Sequence, residues 1–278
     1  LNSSVTLGRL GYPVFFISEF GTDPVGKQIE KFLTGNNVST EYVYRYPGYK
    51  STIALAFLNE RNEASYSFYQ DYPKERLRID LPDIEEDDIF LFGSFYALNQ
   101  QIRKNLIEML NLAKKRKAIV IYDPNFRKSH LDELPVLKQV ILENIGFSDI
   151  VRGSDEDFEN IFRAGNSKKA YETFKDKCDC LIYTASEKGV FIHTLNVEYS
   201  YPVHTLKPIS TIGAGDNFNA GIIYGLISNN IRLSDLNHLT VSDWEPIINT
   251  GTTLATEVCL SYDNYISKEF AERFLSKQ

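Results

Sequence analysis

The sequence predicts an α/β protein with a mainly parallel central sheet covered by helices on both faces, and three observations predict it. Apolar runs of buried-strand length fall at residues 14–20, 89–93, 118–123, 149–152 and 181–184. Helical periodicity fills several of the intervals between them, the strand–helix alternation of a sheet wound with crossover helices. One stretch, 41–71, departs from the alternation and predicts a small β lid, leaving residues 1–40 and 72–278 as the core. Ligands of such sheets gather beyond the carboxyl ends of the strands, so residues there are weighed first.

Composition narrows the function classes. The chain has 278 residues, 43% of them hydrophobic, enough to bury a large core in one large or two modest domains. It carries no apolar run of about eighteen residues and no basic-then-apolar leader, which predicts no membrane association and cytoplasmic residence. A net charge of −7 without a dense Lys/Arg cluster excludes a nucleic-acid surface, so any anionic ligand is bound locally. Cys178, Cys180 and Cys259 are too few for a disulfide framework, and His130, His193, His204 and His238 show no zinc or hydrolase spacing.

In chain order, residues 1–11 read as an amphipathic helix and 14–20 as a strand. Gly21-Thr22-Asp23-Pro24-Val25-Gly26-Lys27-Gln28 then matches the G-x-x-x-x-G-K of a phosphate loop. Gln28 stands where magnesium needs a hydroxyl and Pro24 removes an amide, so the segment is instead an N-cap at Asp23 with Pro24 opening a helix that ends near Leu33. Within 41–71, Tyr42/Tyr44 and Tyr66/Phe68 alternate between turns at Pro47-Gly48 and 59–62, which predicts antiparallel strands with one face packed on something beyond themselves. In 101–116, Ile102, Leu106, Met109, Leu110 and Ala113 share one helical face. Residues 190–194 and 197–203, joined around Leu195-Asn196, read as a hairpin.

Five segments are candidates to carry chemistry. In Ser210-Thr211-Ile212-Gly213-Ala214-Gly215-Asp216, glycines precede a helix marked by Phe218, Ile222, Ile223, Leu226 and Ile227. Either the glycines only make a turn that Asp216 caps, or the Gly213, Ala214 and Gly215 amides point at an anion while Asp216 takes a proton from an attacking hydroxyl. Asp123-Pro124-Asn125-Phe126-Arg127 ends an apolar strand, which places a carboxylate, an amide and a guanidinium on the ligand edge. Ser154 and Asp157 read as a capping box opening the helix 155–162. Thr184-Ala185-Ser186-Glu187-Lys188-Gly189 ends another strand. Asn249 and Thr253 lie one helical turn apart in a small-residue stretch, 248–255.

The run Thr211-Ile212-Gly213-Ala214-Gly215-Asp216 followed by an apolar helix resembles the signature of the ribokinase-like carbohydrate kinases. The other segments follow in that family's order across residues 2–262. Ser65-Tyr66-Ser67-Phe68-Tyr69-Gln70 and Gly93-Ser94-Phe95-Tyr96-Ala97-Leu98 look most like fructokinases. The resemblance implies an ATP-dependent sugar kinase acting on fructose, with Mg2+ and a homodimer paired through the β lid. It implies that Asp216 is the catalytic base beside the Gly213–Gly215 amides, and that Asn2, Asp123, Asn125 and Arg127 bind the sugar and phosphate region. It further implies that Thr184, Ser186, Gly189, Thr211, Asn249 and Thr253 meet the nucleotide, and that Asp157 or Glu156 holds magnesium through water.

Departures from the family pattern carry their own expectations. Ser210 replaces the family's acidic residue at the monovalent-cation site, which argues against potassium dependence. Ser186 replaces a glycine. The Gly-Gly before Asn2 and the first core strand are missing, and truncation accounts for this better than a damaged sugar site, since a lost central strand exposes apolar edges. Two alternatives remain: a kinase for another small substrate such as ribose, 2-keto-3-deoxygluconate or a nucleoside, or a catalytically weak nucleotide- or sugar-binding regulator.

Overall fold

The computed structural model describes residues 1–58, 64–203 and 206–277, the side chains at 56, 58 and 64–66 excepted. The turn expected at 59–62, the side chain of Tyr66 and His204 therefore lie outside the described residues. Contacts divide the chain into two compact units: Ser3–Pro82 with Leu1, and Asp83–Gln278 with Asn2.

The smaller unit holds helices α1 (Asn2–Arg9, apart from Asn2) and α2 (Pro24–Thr34) and strands β1 (Val14–Phe15), β2 (Ser18–Gly21), β3 (Val38–Ser39), β4 (Val43–Tyr46), β5 (Ile53–Leu58) and β6 (Ala64–Tyr69). The run expected as one strand over 14–20 divides in two. Phe16 donates its N–H to the Ser39 carbonyl at 2.9 Å, ending the parallel β1–β3 pair, and the chain resumes as β2 beside β4. Alternation in 41–71 predicts strands but cannot fix their partners: β5 and β6 pair antiparallel as expected, whereas β4 pairs parallel with β2.

The phosphate-loop look-alike is structural. Asp23 caps α2 by accepting from the Gly26 N–H at 3.0 Å and from the Ser51 hydroxyl at 2.6 Å, bonds that hold its carboxyl below its ordinary pKa. A Cβ on Gly26 would lie 1.9 Å from the Gly21 carbonyl oxygen, so close approach of backbone explains the glycine. A buried Arg76–Glu19 ion pair at 2.5 Å ties the end of this unit to β2, with the guanidinium 3.4 Å over the Tyr72 ring.

The larger unit carries the sheet the sequence predicts. Strands β7 (Ile89–Gly93), β8 (Ile119–Asp123), β9 (Ile150–Ser154) and β10 (Leu181–Thr184) are parallel, and β11 (Val190–His193) and β12 (Glu198–Tyr201) continue antiparallel as the expected hairpin. Their spatial order is β12-β11-β10-β9-β8-β7. Helices α3 (Arg103–Arg116), α4 (Leu134–Phe147), α5 (Asp155–Phe162) and α6 (Ser167–Glu172) bury Leu106, Ile141, Phe158 and Ala170 in one cluster with Val120, Tyr122, Val151 and Tyr183. The alternate strand residues Ile119, Ile121, Ile150 and Ile182 are also buried, so both faces of the sheet are covered.

Helices α7 (Ala214–Ser228) and α8 (Val241–Cys259) pack backbone to backbone, followed by α9 (Lys268–Leu275). A Cβ on Gly221 of α7 would lie 2.5 Å from the Gly251 Cα of α8. Among the described residues no helix is long and apolar enough to cross a membrane.

Candidate active site

Parallel strands β8, β9 and β10 are neighbours; Asp123 and Thr184 end the outer two, and Arg152 stands in the middle of β9 between them. Arg152 reaches to both neighbours. One terminal nitrogen donates to Asp123 Oδ2 at 3.0 Å and the other to Thr184 Oγ1 at 2.9 Å. Thr184 passes its own hydroxyl hydrogen to the Gly153 carbonyl at 3.3 Å. Phe218 of α7 lies under the guanidinium at 5.2 Å.

Asp123 is fully engaged. Its Oδ2 also accepts from Asn219 Nδ2 at 2.6 Å, and its Oδ1 accepts from the Asn125 N–H at 3.1 Å, holding Asn125 at a φ of +40°. Burial pushes the Asp123 pKa up, and Arg152 opposes that most strongly, while Asp157 and Asp216 add to it. On the adjoining strand, a Cβ on Gly93 would lie 1.9 Å from the Asp123 carbonyl oxygen, so only glycine lets β7 end there. Arg127 is exposed and begins a 3-10 turn, and among the described residues its guanidinium has no partner.

The glycine turn leads into α7 as expected. Gly213 takes the cap position at φ +84°, and a Cβ there would lie 2.7 Å from the Asn264 carbonyl oxygen. Asn217 holds the turn from behind, its amide donating to the carbonyls of Gly213 and Asn264 at 2.8 Å each. The three amides are not equivalent. Ala214 donates to the Thr211 carbonyl at 3.3 Å, whereas the N–H groups of Gly213 and Gly215 have no acceptor among the described residues. Asp216 sits in the first turn of α7, half-buried, and its Oδ2 accepts from Asn2 Nδ2 at 2.8 Å. Ser210 is held upstream, its hydroxyl oxygen accepting from the Ile212 N–H at 3.2 Å.

Ser154 and Asp157 form the expected capping box, and Asp157 is filled by it: Oδ2 accepts from the Ser154 N–H and hydroxyl at 2.7 and 2.6 Å, and Oδ1 from the Phe126 N–H at 2.6 Å. Glu156 is exposed. Ser186 follows β10 at φ +46°, a conformation glycine adopts more easily. Gly189 has a φ of +106° and lies against the Tyr201 carbonyl, where a Cβ would come within 2.6 Å. Thr211, Asn249 and Thr253 are exposed, and the Thr253 hydroxyl donates to the Asn249 carbonyl at 2.7 Å.

No group of three or more metal-ligating side chains occurs among the described residues. With Asp157 already filled, the donor set does not suit direct chelation. It suits Mg2+ carried on substrate phosphates, an ion that keeps several of its waters and takes few protein ligands.

Arg152 and Asn219 are the two site residues that sequence reasoning passed over. Their signal was present: Arg152 is a charge inside a buried strand, and Asn219 is a polar residue in the apolar stripe of α7, three residues after Asp216.

Comparison with known proteins decides the family. The pfkB family carbohydrate kinase pattern matches residues 1–267. The chain belongs to this family. It is 25% identical over 242 residues to probable fructokinase-4 of Arabidopsis thaliana, covering 84% of this chain and 74% of that protein. Among solved structures it resembles a fructokinase from Vibrio cholerae O395 in a form binding fructose, ADP and calcium ion, with a TM-score of 0.82 at 20% identity over 99% of this chain and 89% of that one. It also resembles aminoimidazole riboside kinase from Salmonella enterica, with a TM-score of 0.80 at 19% identity over 99% and 90% of the two chains. At such identities the likeness is one of fold, the ribokinase-like α/β fold. As a pfkB carbohydrate kinase the protein is a phosphotransferase with a sugar hydroxyl as acceptor.

Proposed function

We propose that the protein transfers the γ-phosphoryl group of ATP to fructose, giving fructose 6-phosphate, with Asp216 as the general base. The observation that carries the chemistry is the turn: a carboxylate in the first turn of α7 stands next to two amides without acceptors, at a helix N-terminus that favours negative charge. Asp216 accepts the proton of the attacking hydroxyl, and Asn2, donating to its Oδ2, fixes the rotamer in which it does so. The Gly213 and Gly215 N–H groups stabilise charge spreading over the phosphoryl oxygens, with Ala214 holding the turn closed. Bound with the nucleotide, Mg2+ supplies neutralisation of the phosphate charge, and Glu156 or Asp157 would meet its water shell.

Fructose as acceptor is supported by the fructokinase relative and by the fructose-bound Vibrio structure. The riboside kinase supports a nucleoside-like acceptor as the second reading. Nucleotide contact is assigned to Thr184, Ser186, Gly189 and Thr211, with Asn249 and Thr253 on the open face of α8. Of the residues expected on the sugar side, Asn2, Asn125 and Arg127 have groups open to substrate. Asp123 serves by holding Arg152, Asn219 and the Asn125 turn. We further infer residence in the cytoplasm, consistent with buried free thiols at Cys178 and Cys180.

Coupled ADP-release assays across fructose, ribose, 2-keto-3-deoxygluconate and nucleosides test the assignment. Fructose is expected to give the highest kcat/KM. A nucleoside preferred by tenfold would move the assignment to the second reading, and silence on every acceptor would support the regulator.

A further inference from the structure

We propose that Arg152 is the positioning residue of this site: from the central strand β9 its guanidinium ties Asp123 on β8 to Thr184 on β10 beneath the Gly213–Asp216 turn. The proposal rests on the phosphotransfer reading above and adds to it a residue with no assigned role. Three features of the geometry carry it.

First, the two arms of the guanidinium reach the two sides that phosphoryl transfer must align, Asp123 at 3.0 Å and Thr184 at 2.9 Å. Only a planar fork makes both bonds at once, since a lysine ammonium is a single point on a flexible stem. Second, the turn rests on this cation. A Cβ on Gly215 would come within 2.8 Å of an Arg152 terminal nitrogen, and Phe218 closes the ring of contacts from α7. The height of the Gly215 amide is therefore set by the guanidinium. Third, the cluster is buried but not self-contained. Arg152 is 7% exposed and Asn219 3%, yet Arg152 Nε and Asn219 Oδ1 have no partner among the described residues. The leftover donor and acceptor can meet water or a bound ligand next to the turn.

A positioning role predicts a change in kcat with little change in KM, because misplacement of reacting groups by about 1 Å can cost about 100-fold in rate without loss of binding. Arg152→Lys keeps the charge opposite Asp123 but cannot also hold Thr184. Its kcat per nucleotide-binding site is expected to fall about 10- to 100-fold, with KM for ATP and sugar within about threefold of wild type. Counting sites by ADP binding removes any loss from misfolded protein, which a purely structural role would produce. Thr184→Val cuts the second arm and leaves the buried charge paired with Asp123, so it is measurable even where Arg152→Lys fails to fold; because Thr184 is also assigned a nucleotide contact, its readout is kcat at saturating ATP. The double variant is expected to be no slower than the worse single one, since both break the same link.

Wild-type kcat in Arg152→Lys, wild-type kcat in Thr184→Val, or multiplied losses in the double variant would each overturn the proposal. These outcomes differ from failure of the phosphotransfer reading, in which the wild-type protein itself turns over no acceptor.

Discussion

Ser210 is the residue at which this chain departs most informatively from its relatives. The resemblance to the ribokinase-like kinases implies an acidic residue at a monovalent-cation site here, and a hydroxyl that accepts from the Ile212 N–H offers no such charge. Turnover is therefore expected to be the same, within about twofold, in potassium and in tetramethylammonium buffers. A large potassium stimulation in that assay would contradict the assignment. Individual site residues were unevenly legible, and for physical reasons. Gly213, Gly215 and Asp216 announce themselves through a turn that only their residue types permit. Arg152 does not, because a charged residue in an apolar strand reads as a strand end until its partners on two other strands are known. Asp123 was legible as a site residue but its role was not. Sequence places it on the ligand edge, and only the fold reveals that Arg152, Asn219 and the Asn125 N–H have filled it.

At the level of elements, α7 and α8 decide how well the turn is held. Gly221 faces the Gly251 backbone at a distance that admits no side chain, so Gly221→Ala is expected to destabilise the protein by about 1–3 kcal/mol through overpacking. Gly146 in α4 has nothing within 4 Å of an added Cβ, and Gly146→Ala is expected to be neutral or to stabilise by up to about 1 kcal/mol. Urea denaturation of the pair checks both signs, and equal effects would refute the packing argument. Elements with a local signal were the ones the sequence could reveal. The capping box at Ser154 and Asp157, the Asp23-Pro24 start of α2 and the 3.6-residue stripe of α3 depend on neighbours within a few residues. The partners of β1, β2 and β4 depend on contacts some 25 residues apart, which period-2 alternation does not encode.

For the molecule as a whole, the β5–β6 hairpin raises the question of assembly. Ile53, Leu55, Phe57 and Tyr69 share one exposed face of a two-stranded sheet that cannot bury them itself. We assign this surface to a homodimer. Sedimentation is expected to find twice the mass of the chain, and Phe57→Asp with Leu55→Asp to give the monomer; a wild-type monomer at high concentration would contradict it. Family membership was legible from the ordered series of motifs over nearly the whole length, and the identity of the acceptor was not, because hydroxyl stereochemistry is read by the placement of polar groups rather than by their presence. The central claim is the chemistry at Asp216. Its most direct test is the turnover of Asp216→Asn with ATP and the preferred sugar, measured beside ATP affinity. The variant keeps the shape and removes the base, so kcat should fall by about 10²- to 10⁴-fold with ATP binding nearly unchanged. Turnover within a few-fold of wild type would contradict it.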